Sequence, residues 1–251
     1  DLGQRGTAVA AVTDSVTDAV DYSRVANGIV SIIEGEPVNL IESLADRIAE
    51  RVLSFPRVVA AEVTVQPITR LGVDAAIIFS DILIPVEAMG IALELGDKGP
   101  HFPNPLRSAA DIDKLGVPDP VEGTGFVAEA IRRTRRALND SVPVIGFCGA
   151  PFTLAAYMVE GGGSKSYIHI KRLLFEQPHL VHTLFEKLTR TLIPYLLMQV
   201  EAGASIVQIF DSWGGELSPW DYERFCLPYL TRMVKEVQAR GVPVIVFGTG
   251  M

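Results

Sequence analysis

The stretch VPVIGFCG at 142–149 decides how the rest of the chain is read. It is a short, nearly unbroken apolar run that ends in small residues. That is the pattern of a strand buried on both faces of a parallel sheet. Three further runs share the form: DAAIIFSD at 74–81, ASIVQIFDS at 204–212 and VPVIVFGTG at 242–250. Helical patterns lie between them at 123–139, 167–176, 179–202 and 219–240. The last carries its own start signal, with Ser218 as N-cap, Pro219 at the first helical position and Asp221 three residues after the cap. Strands alternating with helices give an α/β fold. Four strands of this kind suit either a barrel or a doubly wound sheet.

Towards the N-terminus the pattern changes. Val20, Val25, Ile29 and Ile32 recur at helical spacing until Gly35 and Pro37 end the run. A second helix is expected from Asn39, with Leu40, Leu44, Ile48 and Val52 on one face. Val59, Ala61, Val63 and Val65 then alternate with Glu62 and Thr64, a strand with one wet face as in an antiparallel sheet. Charge shifts at the same place: residues 1–66 hold five Arg, no Lys and ten Asp/Glu, and the first Lys is Lys98. The expected division is a small α+β segment over 1–65 and a parallel α/β part over 66–251.

Composition narrows the function. Of 251 residues, 48% are hydrophobic and 21% charged, the balance of a globular chain. A net charge of −8 argues against nucleic acid as a partner, because phosphate binding needs a basic face. Two cysteines, Cys148 and Cys226, make neither a disulfide framework nor a zinc signature and read as core thiols. No apolar run approaches the ~18 residues of a membrane span. A cytoplasmic protein is the default expectation. The Asp1 start raises the expectation that this is a fragment.

In parallel α/β folds the carboxyl ends of the strands converge on one face, where sites form. The runs here end in Ser80-Asp81, Phe147-Cys148-Gly149, Asp211-Ser212-Trp213 and Gly248-Thr249-Gly250. Asp81 is the most suggestive, since a carboxylate directly after an apolar strand is expensive to bury without donors. A ligand presenting several N–H groups would supply them; a loop or helix cap is the competing reading. GFCGAPFTLAAYMVEGGGS at 146–164 is glycine-rich at both ends. It reads either as backbone lining a pocket that Tyr157 faces, or as a tight turn and a loop. The RRTRR run at 132–136 reads as the solvated face of a helix.

These segments carry a resemblance. From about Glu62 to Met251, QPITRLGVDAAIIFSDILIPVEAMG, GFCGAPFTLAAYMVEGGGS and IVQIFDSWGGELSPWDYERFCLPY resemble the uroporphyrinogen decarboxylase family. The resemblance implies a cofactor-free (β/α)₈ TIM barrel without metal, usually a homodimer. It implies removal of the four acetate carboxyls of uroporphyrinogen III to give coproporphyrinogen III in haem biosynthesis. By motif, Asp81 corresponds to the aspartate that accepts hydrogen bonds from the pyrrole N–H groups, and Tyr157 to the tyrosine near the reacting acetate. Ser212 corresponds to a contact to a substrate carboxylate, and Phe147 and Ile82 to pocket-lining positions. By motif order the chain holds family strands two to five. The family's arginine-rich segment resembling PVWxMRQAGRYxPEYR, its last three strands and its C-terminal histidine do not appear in it.

Residues 1–65 are similar to something else. DAVDYSRVANGIV, GEPVNLIESLADRIAERVL and VVAAEVTV resemble the later half of the dihydroneopterin aldolase family. That resemblance matches Tyr22 and Glu42 to a pterin-site tyrosine and glutamate. Asn39-x-x-Glu42 also reads as a capping box. The aldolase lysine expected after EVTV is replaced by the Gln66-Pro67 continuation, so aldolase activity is not expected. The two resemblances meet at residues 62–65, which points to a chimera joined there. A corrinoid-linked methyltransferase of the same superfamily and an inactive chimeric fragment remain as alternatives. The methyltransferases bind zinc through His and Cys, and the sequence shows no His-x-Cys pair.

Overall fold

The computed structural model describes residue 68 and residues 71–78, 80–96 and 99–250. The chain divides between Gln66 and Pro67, and every described residue lies in the second unit. The two helices and the strand expected over 1–65, together with Tyr22 and Glu42, lie outside the described residues.

The core is a parallel sheet of β1 (Ala76–Ile77), β4 (Val144–Gly149), β5 (Ile206–Asp211) and β6 (Val244–Gly248), paired in that order. β2 (Glu94–Gly96) and β3 (Gly99–His101) form a separate antiparallel hairpin after α1 (Ile84–Ala88). Between β3 and β4 come α2 (Ala109–Asp113) and α3 (Pro120–Leu138). Three helices, α4 (Pro151–Glu160), α5 (Ile168–Glu176) and α6 (Pro178–Glu201), connect β4 to β5. A 3₁₀ turn (Gly214–Glu216), α7 (Pro219–Asp221), a π-helical turn (Tyr222–Cys226) and α8 (Leu227–Gln238) connect β5 to β6.

Strand order separates the two architectures left open by the sequence. A doubly wound sheet reverses its order at a switch point, whereas a barrel adds each new strand on the same side. Here the order runs one way, every pair is parallel and in register from Ala76↔Val144 to Asp211↔Gly248, and long helical crossovers return each time. The described part is a partial (β/α)₈ barrel of four strands.

Burial shows which face the helices cover. In β5, Val207, Ile209 and Asp211 are buried, while Ile206, Gln208 and Phe210 between them are only half-buried. The helices pack on the first set; the second lines the concave face, open because four strands do not close a barrel. In β6 the opening extends to both faces, and Ile245 and Val246 are each 42% exposed. The expectation that all four strands are buried on both faces therefore holds best for β4, where every residue but Ile145 is buried.

Local chemistry sets the helix ends. Asp119 caps α3 by accepting from the Val121 and Glu122 amides at 2.8 and 3.3 Å, and Asn139 closes it in the left-handed region at φ 49°. The Ser218 cap read from the sequence is present: its hydroxyl accepts from the Asp221 amide at 3.2 Å. The expected single helix over 219–240 instead starts with α7 and passes through the π-turn before α8. α4 and the hairpin were not expected. The RRTRR arginines sit on the surface of α3, where Arg132, Arg133 and Arg136 surround Glu129 and Arg135 pairs with Asp140 at 2.7 Å. Cys148 and Cys226 are buried free thiols.

Candidate active site

β1 ends its ladder where the Ile78 amide donates to the Ile145 carbonyl at 3.1 Å. Three residues later Asp81 is half-buried at the carboxyl end of the sheet. The Leu83 amide donates to its Oδ1 at 2.8 Å, an Asx-type turn that leads the chain into α1. The loop-cap reading is thus part of what this carboxylate does. No cation pairs with Asp81 among the described residues. Burial pushes its pKa above the ordinary value, the Leu83 hydrogen bond opposes that shift, and the nearby Glu87 charge adds to it. The Tyr195 phenol of α6 is buried with no hydrogen-bond partner for its hydroxyl among the described residues. Burial pushes its pKa up, and the charges of Cys148 and Asp81 add to the shift.

Gly149 closes β4 and its carbonyl side turns directly into α4, with Pro151 at the first helical position. A side chain at Gly149 would meet Leu154 Cδ2 at 2.6 Å and Ile82 Cβ at 3.4 Å, so the missing Cβ lets Ile82 and α4 close over the strand end. Ile82 itself is half-buried. Tyr157, also half-buried, stands one turn after Thr153 on α4 and meets Trp213 edge-to-face at 6.0 Å between ring centroids. Ser212 follows β5 and is half-buried; its carbonyl accepts from the Thr249 hydroxyl beyond β6. Phe147 is buried and packs against Phe210 at 6.1 Å, and Phe210 against Phe247 at 5.8 Å, an aromatic row across three strands.

The fold brings Tyr157 together with the Ser212–Trp213 turn, and Ile82 with the end of β4. Asp81 and Ser212 follow strands separated by β4, two strand spacings or about 10 Å across the sheet. The helical face of the barrel also holds two polar arrangements that the sequence reading did not find. Gln199 of α6 accepts from the Phe147 amide and donates to the Phe147 carbonyl, both at 2.9 Å. β1 is too short to pair with β4 at Phe147, and this side-chain amide takes the place of the missing strand. Gly146 makes the approach possible, since a Cβ there would lie 2.8 Å from Gln199 Oε1. Asp211 is 1% exposed and accepts from the Thr153 hydroxyl at 2.8 Å and the Tyr222 hydroxyl at 2.7 Å. Burial pushes its pKa up, against the lowering effect of these two donors. Among the described residues no group of three His, Cys, Asp or Glu side chains is placed to hold a metal ion, and no helix is long and apolar enough to cross a membrane.

A family model described as uroporphyrinogen decarboxylase matches residues 51–251. The chain belongs to the uroporphyrinogen decarboxylase family. Its relatives include the uroporphyrinogen decarboxylase of Myxococcus xanthus, 88% identical over 192 residues, which are 76% of this chain and 55% of that protein. That of Trichlorobacter lovleyi is 52% identical over 191 residues, 76% of this chain and 56% of that protein. The chain thus spans about half the length of the curated relatives it matches. A second model, described as dihydroneopterin aldolase, matches residues 5–77. Among solved structures, a methyltransferase from Methanosarcina mazei aligns with a TM-score of 0.62 at 20% identity, covering 90% of this chain and 70% of that one. At that identity the likeness concerns the fold.

Proposed function

We propose that this chain carries part of the active site of an enzyme that removes the four acetate carboxyls of uroporphyrinogen III, giving coproporphyrinogen III. The observation that carries the reading is Asp81: a half-buried carboxylate at the carboxyl end of a parallel strand, with no cation beside it among the described residues and one oxygen turned to a single backbone donor. Such a group is costly to bury and is completed by a ligand with several N–H groups. The 88% identity to a uroporphyrinogen decarboxylase supports the same ligand.

The chemistry follows from where charge develops. Loss of CO₂ from an acetate leaves an electron pair that needs an acceptor. Protonation of the pyrrole α-carbon creates a cation that accepts it. Protonation of the resulting exocyclic methylene carbon, with loss of the proton first added to the α-carbon, then gives the aromatic ring and the methyl product. Asp81 aimed at the ring nitrogens stabilises that cation as it forms. Tyr157 acts near the reacting acetate, Ser212 binds a substrate carboxylate, and Phe147 and Ile82 shape the apolar wall. No cofactor is called for, because the protonated pyrrole is itself the electron sink. The acting form is read as a cytoplasmic homodimer that binds no nucleic acid. The boundary with the aldolase-like segment is placed at residues 65–66, within the overlap of the two family models at 51–77.

Anaerobic incubation with uroporphyrinogen III, followed by chromatography of the oxidised porphyrins, tests the reading. Products with fewer than eight carboxyls, lost in Asp81→Asn, are expected. Full turnover in Asp81→Asn would remove Asp81 from this role. A chain that binds and turns over no tetrapyrrole would favour the inactive chimeric fragment.

A further inference from the structure

Behind the Ser212–Trp213 turn, two side chains from two elements share the buried carboxylate of Asp211, at the end of β5. The Thr153 hydroxyl, in the first turn of α4, donates to Asp211 Oδ1 at 2.8 Å. The Tyr222 hydroxyl, from the π-turn, donates to Oδ2 at 2.7 Å. Thr153 Oγ1 in turn accepts from the Trp213 backbone amide at 3.2 Å. Thr153 and Tyr157 are four residues apart and therefore on the same face of α4. The Trp213 ring lies against Tyr157 at 6.0 Å and against Tyr167 at 5.3 Å.

We propose that Asp211 is a positioning residue that, through Thr153 and Tyr222, sets the place of Ser212 and Trp213 relative to Tyr157. In its bearing on substrate the inference rests on the decarboxylase reading above; in its bearing on Trp213 it does not.

Three observations support it. First, the carboxylate has no room to choose other partners. It is 1% exposed, and a Cβ on Gly214 would fall 3.2 Å from Asp211 Cγ and 3.0 Å from Tyr222 Cε2. Glycine at 214 lets the turn fold tightly over the acid. Second, the donors come from elements that the sheet alone does not hold in register. α4 belongs to the β4 crossover and the π-turn to the β5 crossover, so Asp211 is where the two are tied together. A π-turn inserts one extra residue into a helix and re-aims the side chains near it; here it accompanies the Tyr222 hydroxyl turned onto the acid. Third, the turn is clamped from its other side. The Thr249 hydroxyl donates to the Ser212 carbonyl, and Tyr167 is held against Trp213 with a left-handed backbone at φ 50°, its amide donating to Ser164 Oγ at 3.1 Å. A bulky residue tolerates that conformation only where its surroundings enforce it.

The sequence has two tryptophans, so Trp220→Phe leaves Trp213 as the sole indole reporter. Trp220 is 80% exposed and stands outside the network. In that background, Thr153→Val, Thr153→Ser, Tyr222→Phe and Asp211→Asn are compared. The readouts are acrylamide quenching of Trp213, uroporphyrin III binding and thermal melting. Loss of both hydrogen bonds of the Thr153 hydroxyl, to Asp211 and from the Trp213 amide, in Thr153→Val is expected to weaken uroporphyrin binding about tenfold. Loosening of the turn is expected to raise the quenching constant about twofold. Thr153→Ser, which keeps the hydroxyl, restores both. If Asp211→Asn does not fold, Thr153→Val and Tyr222→Phe decide the matter. Lower melting temperatures with unchanged quenching and binding would make the network a structural plug and overturn the proposal. If the unsubstituted chain takes up no uroporphyrin, the decarboxylase reading fails, and quenching alone decides this inference.

Discussion

Replacing Gln199 with methionine removes the side-chain amide that stands in for a strand and keeps the volume of the side chain. The two hydrogen bonds to Phe147, both 2.9 Å and both buried, disappear together. The Phe147 amide and carbonyl are then left inside the protein with no partner, since β1 pairs with β4 only as far as Ile145. A buried polar group left unsatisfied costs about 1–3 kcal/mol. Two of them on one residue, partly relieved by relaxation, give about 3 kcal/mol. For a unit of this size each kcal/mol moves the melting midpoint by about 2–4 °C, so the expected fall is about 6–12 °C. Methionine suits the test because volume-conserving swaps in a core cost under about 1.5 kcal/mol by themselves. The assay is thermal melting followed by circular dichroism, with urea unfolding as a second measure. A Gln199→Met protein melting within about 2 °C of the parent would refute the surrogate-strand account.

Two other perturbations have clear signs. Lys187 donates through its ammonium to the carbonyls of Ile112, Asp113 and Leu115 at 2.9, 3.0 and 2.9 Å, which ties α6 to the end of α2. Lys187→Met should lower stability by about 1–2 kcal/mol and speed limited proteolysis around residues 105–118. Asp81 and Asp211 are both held above the ordinary carboxylate range by burial. The native state therefore keeps protons that the unfolded chain releases. The linked contribution to stability falls as pH rises from the unfolded value, about 4, through the raised native values. Urea midpoints measured across that window should fall less steeply in Asp211→Asn than in the parent; identical slopes would remove Asp211 from the titration.

How far the sequence could be read depended on whether the relevant signal was local. β4 and β5 were legible because their residues are apolar in an unbroken run, and the Ser218 cap because its partner is three residues away. The length of β1 is not legible: residues 75–79 are apolar throughout, yet among the described residues the strand covers only Ala76–Ile77 before the chain turns away to make the Asp81 loop. The hairpin at 94–101 was missed because its residues show no alternation of apolar and polar positions. The burial of β6 was overestimated because apolar composition records what a complete barrel would cover, not what covers the strand here. The Gln199 and Asp211 arrangements join residues 52 and 58 positions apart, which no periodicity reveals. Glycines 146, 149 and 214 were the available hint. A Cβ at Gly146 would obstruct Gln199, one at Gly214 would obstruct Asp211 and Tyr222, and one at Gly149 would obstruct the approach of Ile82 and α4, although a glycine alone does not say which.

The central claim is that Asp81 recognises a tetrapyrrole through its ring nitrogens. It is tested most directly by anaerobic calorimetric titration of the chain and of Asp81→Asn with coproporphyrinogen III, the product the reading implies. The account predicts saturable binding by the chain and binding at least about tenfold weaker in the variant, whose amide turns a donor where an acceptor is required. Equal affinity in the two proteins would contradict it.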